Sequence, residues 1–449
     1  MYQKLFDAVE AHKDLILAAE EAIKKTPELG FREWKTHAYL KARFEELGYT
    51  VTELGNIPGF YTDVDTGRPG PKVVVFGELD ALPCPAHPLA DPETGAAHAC
   101  GHNCQCAALL GLAAALTEEG VLDEMAGSIR LFAVPAEEGV SASFREELKK
   151  NGTVRYFAGK PEVLYRGHLD DVDIALMVHQ KAADGSQLGC PTGTNGNVRK
   201  KATFIGKSAH AGGSPHKGVN ALYAATAALT AANALRETFQ EKDRIRMHPI
   251  ITKGGNVVNA IPDEVVVENM IRGASYDTIS ELSHKVNRAF AGCAAAMGCQ
   301  IRFQDMGGSA PRHNDENLRK AFKAVGKELF DEKQLNFENN NWGPACSDMG
   351  DISAVMPAIH PFIAGVAGTG HGADYTVSDP YLACVTSAKV QAGVVKYLLA
   401  GDAAYAKKVV AEKKVAYASK EEFFKVKDAL SFDKDGVDYN EDGTVTLNF

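Results

Sequence analysis

The stretch Val73-Val74-Val75-Phe76-Gly77-Glu78-Leu79-Asp80 decides the fold class of this chain. Four apolar residues that are β-branched or aromatic stop at a glycine, and two carboxylates follow. A short apolar run of this kind predicts a strand that is buried on both faces. Open α/β sheets bind ligands at the carboxyl ends of their strands, so Glu78 and Asp80 are candidate site residues.

Three more apolar runs end in polar residues or in glycine and proline, and helical segments separate them. The runs and the polar residues that follow them are 129–134 with Glu137 and Glu138, 174–178 with His179, and 362–366 with His371. This pattern predicts an α/β domain whose mostly parallel sheet is covered by helices. We therefore expect these side chains to converge in one crevice.

The middle of the chain has a different order of elements. It predicts a strand at 202–205, a helix at 219–235, strands at 250–253 and 264–271, a helix at 276–297 and a strand at 300–304. This βαββαβ order indicates an inserted α+β domain of the ferredoxin-like type. The chain then returns with helices predicted at 316–329 and 383–399.

The predicted organisation has four parts. They are a first part of the α/β domain at 1–198, the inserted domain at 199–312, a second part of the α/β domain at 313–400 and a C-terminal extension at 401–449. In that extension, 438–443 matches the opening of a calcium-binding loop, but Phe449 stands where a bidentate Glu is needed. The segment 444–447 favours the other interpretation, a glycine-containing turn between two short strands.

Composition limits the function classes. A chain of 449 residues with 45% hydrophobic and 24% charged residues can bury cores for two or more domains. Its net charge of −10 argues against a general nucleic-acid or anionic-membrane surface. Charges scattered through 1–25 predict an amphipathic helix rather than a secretion signal, and no uninterrupted apolar stretch predicts a membrane span. Nine cysteines, an odd number in a long chain, favour a reducing cytoplasm.

The strongest local signal is His98-Ala-Cys100-Gly-His102-Asn103, which precedes an Ala/Leu-rich helix. A thiolate and an imidazole two residues apart on a tight turn can both reach one cation, and both are zinc ligands. The alternative is a buried thiol and a helix-capping histidine, because short motifs often match by chance. Cys104 and Cys106 fall inside the apolar helix, so we expect them in the core rather than in a metal cluster.

Glu137 and Glu138 follow an apolar strand and lie between Pro135 and Gly139. Adjacent side chains in extended backbone point in opposite directions. One carboxylate can thus hold a metal ion while the other moves a proton to and from a water molecule. Neighbouring glutamates are usually just a solvated pair, but the position after a buried strand favours the functional interpretation.

Two histidines complete the candidate set, each with an alternative. His179 ends a buried strand, where a histidine that belongs to the core is the more common case. His371 lies between glycines, which would allow a close approach to a ligand. His360, which precedes a proline, competes with it as the late histidine of the site.

Taken in order, these segments resemble the aminoacylase and glutamate-carboxypeptidase superfamily of two-metal amidohydrolases, which are zinc metallopeptidases in type. The chain is most similar to the branch with indole-acetyl-amino-acid hydrolases, aminobenzoyl-glutamate hydrolase and β-alanyl dipeptidases. The resemblance covers about residues 5–400. It implies that 1–198 and 313–400 form a catalytic domain and that 199–312 is an inserted lid and dimerisation domain. The matching segments are 26–31, 77–83, 98–103, 135–139, 177–179, 206–212, 218–222, 259–262, 347–351 and His371.

The resemblance implies a set of site residues. The implied metal ligands are Cys100, His102, Glu138, His179 and His371, with Glu137 as the general base. His210 of the inserted domain would stabilise the oxyanion in the site of the other subunit of a homodimer. Arg272 and Asn259 would hold the substrate end, and Asp80 would orient a metal ligand. From the residues alone, His210 could be a surface turn and Arg272 an ordinary charge at a strand end.

The resemblance also implies the reaction. It is hydrolysis of an amide bond in an N-acyl amino acid or small dipeptide with a free carboxylate, by a metal-activated water and the Glu137 base. The implied cofactors are two divalent metal ions, zinc or manganese. The implied partners are this small-molecule substrate and a second copy of the chain, with no nucleic acid and no membrane. The alternative is a catalytically silent metal- or ligand-binding member of the fold, which need not keep Glu137.

The chain departs from the family pattern at three positions. Much of this branch has Asp where Asn103 stands and His where Gln105 stands. Other branches have His-x-Asp, with the His as a metal ligand, where Glu78-Leu-Asp80 stands here. These departures bear on the number of tightly held metal ions rather than on the reaction.

Overall fold

A computed structural model describes residues 2–339 and 341–449. The α-helices of this part of the chain are α1 (Gln3–Ala11), α2 (Lys13–Lys24), α3 (Trp34–Glu46), α4 (His102–Leu116), α5 (Ala142–Lys150), α6 (Gly159–Tyr165), α7 (Ala221–Ala234), α8 (Tyr276–Ala296), α9 (Glu316–Leu329), α10 (Met349–Ser353), α11 (Ser387–Leu399), α12 (Ala404–Ala411) and α13 (Lys420–Ala429). Short 3-10 helices occupy Pro215–Lys217, Leu235–Thr238, Glu241–Asp243 and Glu332–Gln334, and a π-helix occupies Tyr381–Thr386.

The strands are β1 (Thr52–Glu53), β2 (Phe60–Asp65), β3 (Lys72–Glu78), β4 (Leu82–Pro83), β5 (Ala96–Ala97), β6 (Ser128–Val134), β7 (Ile174–Leu176), β8 (His179–Ala182), β9 (Leu188–Gly189), β10 (Gly193–Thr194), β11 (Gly196–Ile205), β12 (Arg246–Lys253), β13 (Glu264–Gly273), β14 (Gln300–Gly307), β15 (Arg312–His313), β16 (Leu335–Asn336), β17 (Trp342–Gly343), β18 (Ala358–Ile359), β19 (Phe362–Ala367), β20 (Thr376–Val377), β21 (Phe432–Asp435), β22 (Val437–Tyr439) and β23 (Val445–Leu447).

The chain divides into two compact units. Unit 1 runs from the N-terminus to Gly193 and includes His313–Trp342 and Asp351–Ala416. Unit 2 consists of Thr194–Arg312, Gly343–Gly350 and Tyr417–Phe449.

The main sheet of unit 1 has the strand order β1-β2-β6-β3-β7-β18. Strands β6, β3, β7 and β18 pair in parallel, whereas β1 and β2 pair antiparallel. The predicted mostly parallel sheet is therefore present. Every residue of β3 after Lys72 is buried, as its continuous apolar run predicts. Glu78 is the last residue of this strand, and its side chain is buried.

The run at 362–366 forms strand β19, but β19 lies outside the main sheet. It belongs to a second sheet, where it pairs in parallel with β8 and antiparallel with β9 and β20. The expectation of a single sheet for all four runs was therefore wrong at this position. An apolar run predicts a buried strand but does not indicate which strand it pairs with. Here β19 pairs with β8, and Phe362 lies opposite His179.

Helix α4 lies at the centre of unit 1, and all of its fifteen residues are buried. It packs against β3 on one side and against α1, α2 and α11 on others. Cys104 and Cys106 are fully buried core residues, as expected. The predicted N-terminal helix is two helices, α1 and α2, because the backbone at His12 leaves the helical conformation.

One helical stretch of the described chain, Tyr381–Leu399, is long and apolar enough to cross a membrane by length and composition. The protein buries 83% of its most apolar window. It contacts α1, α4 and α9 of unit 1. A helix that is apolar on all sides is expected in a protein core as well as in a membrane, and the packing here is that of a core helix.

Unit 2 contains an antiparallel sheet with the strand order β12-β13-β11-β14-β21. Helices α7 and α8 pack against each other and against β11 and β13. From β11 to β14 the major elements follow the order strand, helix, strand, strand, helix, strand. Strand β11 begins at Gly196, earlier than predicted, because 196–201 is too polar to show the apolar pattern of a buried strand.

The predicted extension at 401–449 is divided between the two units. Helix α12 packs on α11 in unit 1. In unit 2, β21 adds a fifth strand to the sheet by pairing with β14, where Arg302 Nε donates to Asp433 at 2.7 Å. Strands β22 and β23 form an antiparallel hairpin, and the Asp442 carboxylate accepts from the Thr444 amide at 3.0 Å. The hairpin interpretation of 438–443 is confirmed.

Candidate metal centre

Cys100 and His102 are positioned by the turn that begins α4. Gly101 between them has φ +101° and forms the helix N-cap. A Cβ at this position would lie 2.6 Å from Tyr375 Oη and 3.1 Å from Gln180 Cβ. Both the backbone conformation and the lack of space therefore require glycine between the two candidate ligands.

Asp80 ties the His102 turn to the Glu138 loop. The Nδ1 of His102 donates to the Asp80 carbonyl at 2.8 Å and lies 3.1 Å from its Oδ1. The other carboxylate oxygen of Asp80 accepts from the Glu138 amide at 2.8 Å. Because Nδ1 carries the proton of this hydrogen bond, Nε2 of His102 is the nitrogen free to bind a cation. Asp80 thus contacts both the His102 ring and the Glu138 backbone, and its role as the residue that orients a metal ligand stays a prediction.

His179 and His371 each face another candidate ligand. The Nδ1 of His179 donates to the Gln180 carbonyl at 2.7 Å, which leaves Nε2 at 3.3 Å from Cys100 Sγ. The Nε2 of His371 lies 3.2 Å from Glu138 Oε1. His371 has φ +66°, a conformation that non-glycine residues rarely adopt and that is concentrated at functional sites. Its amide donates to the Ala99 carbonyl at 2.8 Å, which holds the loop against the Cys100 turn.

The five predicted metal ligands form two triads that share one sulfur atom. One triad is Cys100, His102 and His179, and the other is Cys100, Glu138 and His371. Within each triad the ligand atoms lie within 4.8 Å of one another. Thiolate, imidazole and carboxylate are the donors that a divalent ion such as zinc takes, so these residues fit a centre for two such ions. Among the described residues, these clusters contain His371 and not its competitor His360.

Glu137 also faces this centre. Its carboxylate, Glu78 and His102 form a third cluster whose ligand atoms lie within 4.8 Å of one another. The preceding residue, Ala136, has φ +53°, and its amide donates to the buried Glu33 carboxylate at 2.7 Å. After this turn, both glutamates lie at the same centre. Glu137 lies near Glu78 and His102, and Glu138 lies near Cys100 and His371.

A cavity of about 490 Å³ opens onto the centre. Candidate ligands and neighbouring residues of unit 1 form its walls. They include Cys100, His179, Gln180, Lys181, His371 and Tyr375. A volume of this size is typical of small-molecule sites.

Burial and neighbouring charges set the protonation of the groups at this centre. Burial opposes ionisation of Glu78, but Lys160 and His102 lower its pKa to about 2. Burial likewise opposes the charge on Glu138, and the hydrogen bond with His371 outweighs it and lowers the pKa of this carboxyl. Burial lowers the pKa of His179 to about 4. These two anionic carboxylates and the neutral His179 imidazole are forms that metal ligands require. Burial raises the pKa of the Cys100 thiol, and at His102 the Glu78 carboxylate outweighs burial and raises the imidazole pKa, so these two ligands would have to release protons when an ion binds.

The three remaining predicted residues, His210, Asn259 and Arg272, lie in unit 2. The His210 and Asn259 loops adjoin, because the Ala211 amide donates to the Asn259 carbonyl at 2.9 Å. Arg272 is half-buried, and its guanidinium donates to the Pro344 carbonyl at 3.2 Å. Their roles in the reaction stay predictions.

Two residues near the centre were missed from the sequence. Lys160 is fully buried in α6 and pairs with Glu78. Glu33 is fully buried and supports the Ala136 turn. Gln105 was noted only as a departure from the family pattern, and its amide donates to Glu78 Oε2 at 2.8 Å. The sequence signal for Lys160 was its position in the mostly apolar segment 156–164, where a lysine is expected to need a buried partner.

Known proteins agree with this architecture. The model of peptidase family M20/M25/M40 matches residues 74–398. The chain belongs to this family. Its predicted classification as a hydrolase of the metallopeptidase type is thereby confirmed.

Individual relatives have related activities in their names. One of the p-aminobenzoyl-glutamate hydrolase subunits of Escherichia coli K12 is 31% identical over 307 residues, which is 66% of this chain and 58% of that protein. The Xaa-Arg dipeptidase of Mus musculus is 28% identical over 378 residues, covering 80% of this chain and 79% of its own. A dinuclear metal-binding peptidase of Bacillus subtilis from the M20 family has the same fold, with a TM-score of 0.67 at 20% identity over 87% of this chain and 99% of that one.

Proposed function

We propose that this chain hydrolyses the amide bond of N-acyl amino acids or small dipeptides that have a free carboxylate. The observation that carries the proposal is the pair of ligand triads sharing Cys100, with the Glu137 carboxylate beside them. The names of the relatives support the substrate class, since one acts on aminobenzoyl-glutamate and another on dipeptides.

The residues divide the work in a defined way. Two divalent ions, zinc or manganese, would supply an activated water and polarise the amide carbonyl when bound. Cys100, His102, Glu138, His179 and His371 would hold them. Glu137 takes the proton from the attacking water and returns it to the leaving amine nitrogen. Asp80 keeps His102 and Glu138 in place through its two carboxylate oxygens.

His210 is proposed as the oxyanion donor, acting on the site of the other subunit in a homodimer. Its Nδ1 accepts from the amides of Gly212 at 3.1 Å and Gly213 at 2.9 Å. The neutral ring therefore carries its proton on Nε2, which is the donor this role needs. Unit 2 offers a surface for a second copy, because β12 is an edge strand with exposed Ile250 and Ile251.

Mixed dimers test this arrangement. An isologous contact gives two equivalent sites, each combining His210 of one subunit with Glu137 of the other. Mixing His210→Ala with Glu137→Gln subunits should restore activity, because one site of each hybrid then has both groups intact. The measurement is kcat of the mixture after subunit exchange, with each variant alone as the control. No recovery after demonstrated exchange would mean that His210 acts within its own chain or not at all.

Arg272, with Asn259, is proposed to bind the free carboxylate of the substrate. A guanidinium matches a carboxylate with two parallel hydrogen bonds, which would also position the scissile amide. Substrates whose α-carboxylate is blocked as an amide should therefore lose most of their kcat/KM. Arg272→Lys should reduce kcat/KM for free acids as well, because an ammonium cannot reproduce the paired hydrogen bonds.

The control for this test is Arg236→Lys, a change of the same kind elsewhere in unit 2, where Arg236 donates to the Met247 carbonyl at 2.6 Å. It should leave the preference for free acids unchanged. Equal turnover of free-acid and amidated substrates would rule out the carboxylate contact and leave the metal chemistry intact.

Three further proposals complete the assignment. The α+β arrangement of unit 2 is proposed to be the ferredoxin-like lid domain, enlarged by β21. We propose a cytoplasmic location, which the nine free cysteines support. The net charge of −10 supports a protein that binds neither nucleic acid nor anionic membranes.

A further inference from the structure

Glu78 lies at the end of β3 with its side chain fully buried, and both of its carboxylate oxygens are engaged. Oε1 pairs with the ammonium of Lys160. Oε2 accepts from the Gln105 amide at 2.8 Å and lies 3.1 Å from His102 Nε2. Neither Glu78 nor Lys160 has a part in the function proposed above.

The contact with His102 uses the nitrogen that faces the metal centre. Its Nδ1 is committed to the Asp80 carbonyl, so Nε2 is the atom that binds a cation. Zinc bonds to His nitrogen and carboxylate oxygen are both about 2.0–2.2 Å long, so two ligands of one ion lie roughly 3 Å apart. The 3.1 Å separation of Glu78 Oε2 and His102 Nε2 has this value. A cation on Nε2 therefore comes within reach of Glu78.

Lys160 stabilises the buried Glu78 carboxylate beside His102. Its side chain is fully buried in α6, and a buried ammonium is costly unless it is paired. Pairing with Glu78 removes this cost and holds Oε1, while Gln105 orients Oε2 toward His102. The pair is neutral as a whole, so it adds a ligand oxygen to the centre without adding net charge.

We propose that Glu78 is a further contact of the ion bound by His102, and that Lys160 and Gln105 are positioning residues that hold it in place. This inference rests on the proposed two-ion centre. It assigns a role to a carboxylate beyond the five ligands, and to a fully buried lysine that pairs with it.

The double variant Glu78→Gln/Lys160→Met gives the decisive measurement. It removes both charges with side chains of similar size, so no unpaired charge stays buried and the fold is retained. Zinc dissociation constants are measured for both ions by competition with a chromophoric chelator, alongside thermal unfolding of the metal-free protein. One of the two ions should bind roughly 10–100-fold more weakly, the range for partners that surround a metal site.

The two single variants should differ in zinc affinity. Lys160→Met leaves the Glu78 carboxylate uncompensated beside the cation, so zinc should bind at least as tightly as in the wild type. The same variant should lower the unfolding temperature of the metal-free protein, and zinc should recover the loss. Glu78→Gln leaves the Lys160 ammonium facing the centre, so zinc should bind more weakly than in the double variant.

Unit 2 offers a matched control. Lys200 is also a buried lysine that pairs with a carboxylate, that of Asp305, and donates to Ser283 Oγ at 2.6 Å. The double variant Lys200→Met/Asp305→Asn should leave both zinc dissociation constants unchanged. Wild-type affinity for both ions in Glu78→Gln/Lys160→Met would overturn the inference and leave the proposed function standing. A wild-type protein that takes up no ion would instead overturn the proposed function.

Discussion

The variant Glu137→Gln should retain both metal ions and lose turnover by roughly 10²–10⁴-fold, the range for a positioned acid–base group. The physical reason is that the amide cannot take a proton from water, although it fills the same space. A carboxylate oxygen of Glu137 lies within 4.8 Å of the candidate ligand atoms of His102 and Glu78, but Glu137 is outside the two triads that share Cys100. The measurements are metal content after dialysis and kcat with an N-acyl amino acid.

The neighbouring variant Glu138→Gln is the matched comparison. Glu138 Oε1 lies 3.2 Å from His371 Nε2 in one of the triads, so this change should weaken metal binding first. Activity should then return in part at high metal concentration, which Glu137→Gln should not show. If both variants keep full metal content and full rate, the division of roles between the two glutamates is wrong.

Cys100→Ala should have the largest effect on metal binding. Among the described residues of the two triads, Cys100 is the one common to both, so its loss would take a candidate ligand from each triad at once. The affinity loss should exceed the roughly 10–100-fold typical of residues that only surround a metal site. Metal content by mass spectrometry, and turnover of the same substrate at saturating zinc or manganese, measure this loss.

Removal of a different buried thiol provides the control for this change. Cys299 is fully buried in unit 2, and Cys299→Ala should keep the metal content and rate of the wild type. Chelation of the wild type should abolish turnover, and added zinc or manganese should restore it. Full activity of verified metal-free protein would contradict a metal-dependent reaction.

Local pattern was sufficient to predict most elements of the fold. The run Val73–Phe76 predicted a buried strand because apolar β-branched residues fit a strand with two covered faces. The spacing of apolar residues placed α8 and α9 within one residue of their observed ends. Elements with mixed composition were less well predicted, and polar β11 began six residues before the predicted strand.

Strand partners were beyond the reach of local pattern. Strand β19 has the composition of a main-sheet strand, yet its backbone groups pair with β8, β9 and β20. Strand β21 was assigned to a tail outside the domains, yet it completes the sheet of unit 2. Hydrogen bonds between strands join residues far apart in the chain, and no local feature specifies which edge a strand will meet.

The sequence by itself determined the ligand types, because Cys100-Gly-His102 and Glu137-Glu138 place metal-binding and proton-transfer groups at fixed short spacings. The sequence also indicated a tight turn at Gly101, and the structure supplied the reason for the glycine, a positive φ at that residue. Only the tertiary structure decided that Cys100 is shared by two triads and that Glu78 meets Lys160 across 82 residues. The reason is burial. Folding removes this lysine and this glutamate from water, and a buried charge is costly unless an opposite charge pairs with it.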